Sequence, residues 1–181
     1  MVIIKLLKVL VLCIVLTFFF SIGAKANYTS EQFQQSYFEI GYTGIHKALK
    51  ESSKHFNRNI ELPVQLPPIA FTHTFARGDN IEEKPNTKLE IEYINKDMPQ
   101  NHYMIFVQPT NFGLKIKENF IDQRIKENDG VKAIYSTKIV RGFNLFVFEK
   151  NGFQYVLSVD KRISNKVTPE VLLEIAHSIP E

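Results

Sequence analysis

The stretch Phe143-Asn-Leu-Phe-Val-Phe-Glu-Lys-Asn-Gly-Phe-Gln-Tyr-Val-Leu-Ser-Val-Asp160 decides the fold. Two runs rich in aromatic and branched residues, 143–149 and 153–160, flank Asn151-Gly152. Both residues of an Asn-Gly pair tolerate positive φ, which a two-residue type I′ turn requires, and the twist of that turn matches paired antiparallel strands. A β-hairpin is predicted here, and an antiparallel sheet with it.

Toward the N-terminus, period-two patterning gives five more strand candidates: Phe71–Ala76, Lys88–Asn95, His102–Gln108, Leu114–Glu118 and Val131–Ser136. In the second of these, Leu89, Ile91 and Tyr93 alternate with Lys88, Glu90 and Glu92, the pattern of a strand with one buried and one wet face. On that reading Glu90 and Glu92 belong to the solvated side of the sheet, and a cation held between them would need a neighbour. The stretch 60–70 carries Pro63, Pro67 and Pro68. It is expected to be extended but not a central strand, because proline has no N–H to give to a ladder.

Helices are expected at both ends. Thr29 and Gln32 have the spacing of a capping box, and Phe33, Tyr37 and Ile40 follow on one face. Gly41 and Gly44 interrupt, and a second helix presents Ile45, Ala48, Leu49, Ser52 and Phe56 before ending near 57–59. Thr168-Pro169-Glu170 opens a last helix with a cap, an N1 proline and an acid at the positive end. Its apolar face is Val171, Leu172, Ile175, Ala176 and Ile179. The expected fold class is α+β, a curved antiparallel sheet with N-terminal and C-terminal helices packed on one face.

The first 26 residues read as a cleavable signal peptide. Lys5 and Lys8 make a basic start, residues 9–22 form an apolar run of 14, and Ala24-Lys-Ala26 supplies the small residues read at a cleavage site. A spanning helix wants about 20 apolar residues. Cys13 lies inside the apolar run behind bulky Val11 and Leu12, which does not suit lipidation. The organisation expected is a signal peptide at 1–26, a helical segment at 27–59 and a sheet domain at 60–181, with 27–181 as one globular unit. Removing 26 of 181 residues leaves 155, and removing Lys5, Lys8 and Lys25 takes the net charge from +3 to zero. The basic character belongs to the leader, so no nucleic-acid partner is expected. The single cysteine is also in the leader, so the domain has no disulfide to rely on. The expected address is secreted or associated with the cell envelope, with the membrane met only through the leader during export.

The order Lys88-Leu-Glu-Ile-Glu-Tyr93, Tyr103-Met-Ile-Phe-Val-Gln108, the Leu145–Ser158 hairpin and Thr168-Pro-Glu-Val-Leu-Leu-Glu-Ile-Ala-His-Ser-Ile179 resembles a domain of unknown function. That domain occurs in exported or membrane-tethered envelope proteins of Gram-positive spore-forming bacteria. The resemblance covers roughly 60–179. It implies an envelope domain and brings no catalytic residue.

No G-x-S-x-G, H-E-x-x-H, C-x-x-C, P-loop or dinucleotide-binding pattern occurs in the sequence. Ser158-Val-Asp-Lys161 matches S-x-x-K, but at the end of a strand positions i and i+3 point to opposite faces. His46, His55, His73, His102 and His177 include no pair at helical ligand spacing, so no metal is expected. His73, between Phe71 and Phe75, is the one candidate for ligand contact, against the plainer reading of a core histidine with one hydrogen bond. His73 or His102 would need an acid and a nucleophile in one cleft to make a hydrolase. Arg77-Gly78-Asp79 is similar to an adhesion tripeptide and is also an ordinary turn. Lys115, Lys117, Arg124, Lys126 and Lys132 are interleaved with acids along the chain, and so are expected to make no basic stripe. Of 15 phenylalanines three are in the leader, leaving 12 either to fill a core or to line a concavity for an apolar ligand. The expectation is a non-enzymatic envelope domain without cofactor, binding an envelope protein or an apolar ligand. A lipid-like carrier and a hydrolase are the alternatives.

Overall fold

The Asn-Gly hairpin forms as its sequence predicts. In the computed structural model, which describes residues 28–78, 88–126 and 132–180, Asn151 and Gly152 have φ of 51° and 75°. The expected leader, Asp79 and Glu82-Glu83 lie outside the described residues. The hairpin strands belong to a seven-stranded antiparallel sheet: β1 (His73–Gly78), β2 (Leu89–Ile94), β3 (His102–Pro109), β4 (Gln123–Lys126), β5 (Lys132–Val140), β6 (Phe143–Lys150) and β7 (Phe153–Asp160). Their order is β1-β2-β3-β7-β6-β5-β4. Two meanders thus join where β7 pairs with β3, with Ile105 opposite Leu157.

Three helices complete the domain: α1 (Ser30–Glu39), α2 (Ile45–Phe56) and α3 (Pro169–His177). The capping box of α1 is present, Thr29 accepting from the Gln32 N–H while Gln32 accepts from the Thr29 N–H. Asn57, in the left-handed conformation, ends α2. The α+β class, the antiparallel sheet and the terminal helices are as the sequence predicts.

The inner face carries the main core. Leu89, Ile91, Tyr103, Ile105, Phe146, Tyr155 and Leu157 meet Ala48 of α2 and Leu172, Ile175 and Ala176 of α3. Each large apolar side chain buried there contributes about 1.5–3 kcal/mol. The proline-bearing stretch 60–70 holds no strand, as expected, and skirts this core. Tyr155 Oη donates to Glu61 O at 2.9 Å and Val64 N to Ser178 O at 3.3 Å.

Helix α1 does not share that face. Phe75 and Ala76 are neighbours in β1 and point to opposite sides. Ala76 belongs to the inner core, whereas Phe75 packs with Phe33, Tyr37, Tyr42 and Ile94 on the outer side. Tyr37 stacks on Phe75 with ring centroids 4.1 Å apart and planes 4° apart. The chain passes from one face to the other around the β1 edge: Thr43 exchanges backbone hydrogen bonds with Ala76 at 2.7 and 2.9 Å. The glycines that interrupt the helical pattern mark this wrap.

Two sheet expectations need correction. The 114–118 stretch is not a strand, and Gln123–Lys126 is one. Residues 110–121 instead form a strap of extended chain and two short turns over the outer face. Gln154 fastens the strap's first half, its Oε1 accepting from Leu114 N at 2.6 Å and its Nε2 donating to Leu114 O at 3.2 Å. Gly113 is required there, since a Cβ would meet Gln154 Nε2 and Thr110 O at 2.9 Å each. At the far end Ser136 Oγ donates to Phe120 O at 2.5 Å, and Asp122 accepts from Thr137 N at 2.7 Å.

Candidate functional site

Two places on the outer face gather chemistry. The first lies beneath α1. Glu90 and Glu92 are successive outward residues of β2, and each is only 7 % exposed. This corrects the solvated reading, because α1 and Tyr42 fold over that end of the sheet. Tyr42 Oη contacts Oε1 of both glutamates. A phenol has one proton, so Tyr42 donates to one carboxylate at a time while lying against the other.

Cations surround the pair. Arg77 Nη2 lies 3.3 Å from Glu90 Oε1, with its guanidinium 4.3 Å from the Tyr42 ring centre. Lys88 Nζ lies 3.9 Å from Glu90 Oε2. His102 Nε2 lies 3.3 Å from Glu92 Oε2 without the alignment of a hydrogen bond. Burial alone would raise the Glu92 pKa; polar contacts with His102, Tyr42 and Glu90 outweigh it and hold the carboxyl below its usual range. Burial, then the Glu92 charge, pushes the Tyr37 phenol up to about 12. Burial, then hydrogen bonds to the two glutamates, raises Tyr42 further.

An acid, a histidine and a phenol thus meet, as a hydrolase would require of His102, but under cover. Phe143 stands edge-on to His102, centroids 5.4 Å apart. His73 lies at the margin, its ring 5.0 Å from Phe33 and its Nδ1 2.8 Å from Thr72 Oγ1. Among the described residues its ring hydrogen-bonds the neighbouring hydroxyl. Arg77 is engaged with Glu90 and Tyr42, and its Asp79 companion lies outside the described residues. Ser158 is buried in β7, while Lys161 Nζ donates to Thr137 O at 2.5 Å, so the S-x-x-K pair is not assembled.

The second place is a cleft of ≈ 490 Å³ at the opposite end of the outer face, between the strap and the β4–β5–β6 corner. Leu114 and Ile116 from the strap face Ile134 and Val147 from the sheet. Arg124, Lys126 and Lys132 line it, with Glu149 as the one carboxylate among the lining residues. Register explains the convergence: Arg124 is opposite Ile134, and Lys126 is opposite Lys132, all on the outer side. Arg124 pairs with Glu118. Among the described residues no carboxylate lies within ion-pairing distance of Lys126 or Lys132. The strap also leaves apolar surface in water, Phe112 being 51 % and Leu114 40 % exposed.

Linear order does not show this cleft, because cations interleaved with acids along the chain are sorted onto one face by β4, a strand of four residues with one apolar side chain. Asp129-Gly130, a hairpin signal between Lys126 and Lys132, could have exposed it. Of the phenylalanines, Phe146 and Phe153 are in the inner core, and Phe148, also part of that core, is among the residues lining the cleft. Among the described residues no group of three or more potential ligands could hold a metal, and no helix is long and apolar enough to cross a membrane. No protein-family model, curated protein or solved structure matches the chain.

Proposed function

We propose that this chain is a non-enzymatic binding domain of the cell envelope, exported by its first 26 residues, which holds its ligand in the cleft between the strap and β4–β5–β6. The basic start, the apolar run and Ala24-Lys-Ala26 support export, and the resemblance of 60–179 to an envelope domain supports the address.

The observation that carries the binding role is the cleft itself. Its volume of ≈ 490 Å³ falls within the ~300–1,000 Å³ of small-molecule sites, and it combines aliphatic walls with a few charged groups, the composition such sites share. The Glu90–Glu92 pair is the natural rival as a catalytic centre. Tyr42 and Arg77 already hydrogen-bond its oxygens, His102 lies against Glu92, and α1 packs over that end of the sheet.

Native mass spectrometry of the protein recovered from its own host, paired with amide chemical-shift mapping, tests the proposal. The expected result is an adduct retained by Glu92→Gln and lost by Leu114→Asp, with shifts centred on β5 and the strap. An adduct lost by Glu92→Gln and kept by Leu114→Asp would move the site to the acid pair. A protein that is bare on recovery, with no ligand shifting the cleft amides, would end the binding reading.

A further inference from the structure

We propose that the ligand of this cleft is a single-chain anionic amphiphile, a long-chain carboxylate whose head lies between Lys126 and Lys132 and whose chain runs between Leu114, Ile116, Ile134 and Val147. This rests on the binding role given above and names its chemistry.

The lysines carry the argument. Lys126 and Lys132 are direct cross-strand partners in the hairpin of β4 and β5. Like charges directly opposite destabilise a strand pair, and among the described residues neither lysine has an acid within ion-pairing distance. An anion placed between them removes the repulsion and gains two charge-assisted hydrogen bonds. The cleft lining carries three cations, one of them paired with Glu118, against Glu149 as its one carboxylate, so its field favours a negative head.

The rest of the cleft selects the tail. Its facing side chains are branched aliphatics, and the strap that forms one wall presents Leu114 to water when the cleft is empty. Covering Leu114 and Ile116 with an alkyl chain removes that surface from solvent, which is the driving force for apolar association. The strap is fixed at both ends by Gln154 and by Ser136 with Asp122, so the groove exists before its ligand arrives. The aliphatic walls belong to one strap and one sheet corner, and on that ground the proposal is a single free carboxylate over a bilayer surface.

The test uses hexadecanoate labelled with ¹³C at its carboxyl carbon, held below its aggregation threshold and titrated into the full chain. Native mass spectrometry and the carboxyl resonance are the readouts. One equivalent should bind, with a carboxyl shift absent in free solution. Lys126→Glu with Lys132→Glu should weaken binding about tenfold or more, as expected for loss of a charge-assisted contact. The single Lys132→Glu variant should give an intermediate loss, and Leu114→Asp should abolish binding; all these positions are on the outer surface, and unchanged far-ultraviolet dichroism confirms the fold. Hexadecanol, without the charge, should bind at least about tenfold more weakly. Equal binding of hexadecanol and hexadecanoate, or indifference to the lysine reversals, overturns the head-group assignment. Binding to phosphatidylglycerol vesicles but not to monomeric hexadecanoate overturns the single-chain assignment in favour of a membrane surface. Cleft-dependent binding of cationic or peptide ligands, with none of hexadecanoate, overturns the amphiphile class while leaving the binding role intact.

Discussion

The inner face of the sheet is filled mainly by hydrocarbon from Phe146, Leu157, Leu172 and their neighbours, whereas the outer face holds Glu90, Glu92, Gln154 and Asp160, whose polar groups must find partners. Both faces are covered, but by different physics. The inner side is closed by two helices whose contacts are non-directional. The outer side is closed by α1 and the strap, each fastened through named polar atoms: Tyr42 to the two glutamates, Leu114 to Gln154. Hydrocarbon burial does not depend on pH; hydrogen-bonded carboxylates do. The inner face therefore sets how stable the domain is, and the outer face sets how that stability responds to conditions.

Truncating the inner face should have the largest effect. Phe146→Ala removes a fully buried ring and should cost about 3–5 kcal/mol, read as a lower midpoint in urea unfolding. Tyr42→Phe should cost about 1.5–3 kcal/mol, the range for hydrogen bonds to charged groups, because it strips the donor from a buried carboxyl pair. The same exchange on the inner face should have the opposite sign. Tyr103 Oη is buried without a hydrogen-bond partner among the described residues, and burial raises its pKa well above the ordinary phenol value. Tyr103→Phe should be neutral or stabilise by about 1 kcal/mol, since the removed group is desolvated and unpaired. Destabilisation by both tyrosine exchanges would break the contrast between the faces.

Acidification gives the smallest effect and the sharpest comparison. Glu92 has a folded pKa below its ordinary 4.5, so its stabilising contribution is present above that value and is lost as pH falls through the folded one. Asp122, held down to about 2 chiefly by Lys138 and Thr137, contributes in the same direction below 3.8. Melting temperature should therefore decline between pH 4.5 and about 2. In Tyr42→Phe one contact that lowers Glu92 is gone, so the decline should be shallower than in the parent chain. An equal decline in the two proteins would mean that Tyr42 does not hold the pair.

Much of the inner face can be read from sequence, because period and turn chemistry carry it locally. Asn151-Gly152 announces its hairpin, and Thr168-Pro169 announces the last helix. The outer face is harder to read, since its partners lie far apart in the chain. Tyr42 meets glutamates 48 and 50 positions away, and no local pattern tells a carboxylate under a helix from one in water. Leu114-Lys-Ile-Lys-Glu118 alternates like a strand, yet the Leu114 N–H and C=O are taken by a side chain, Gln154, and no ladder forms. Gln123-Arg-Ile-Lys126 does pair as a strand although it holds only one apolar residue. The lysine-lined cleft follows from that pairing and was hidden with it.

The sheet's order also fixes when the molecule can assemble. Strand β7 is the last strand along the chain, yet it sits in the interior, between β3 and β6. A polypeptide emerging from its N-terminus has two separate ribbons until 153–160 is available, and neither can bury its inner residues against the other. Their union waits for long-range pairing such as Ile105 with Leu157, the kind of contact that slows folding. A keystone placed last keeps the chain uncommitted over most of its length, so a truncation anywhere before it leaves two ribbons and no shared core.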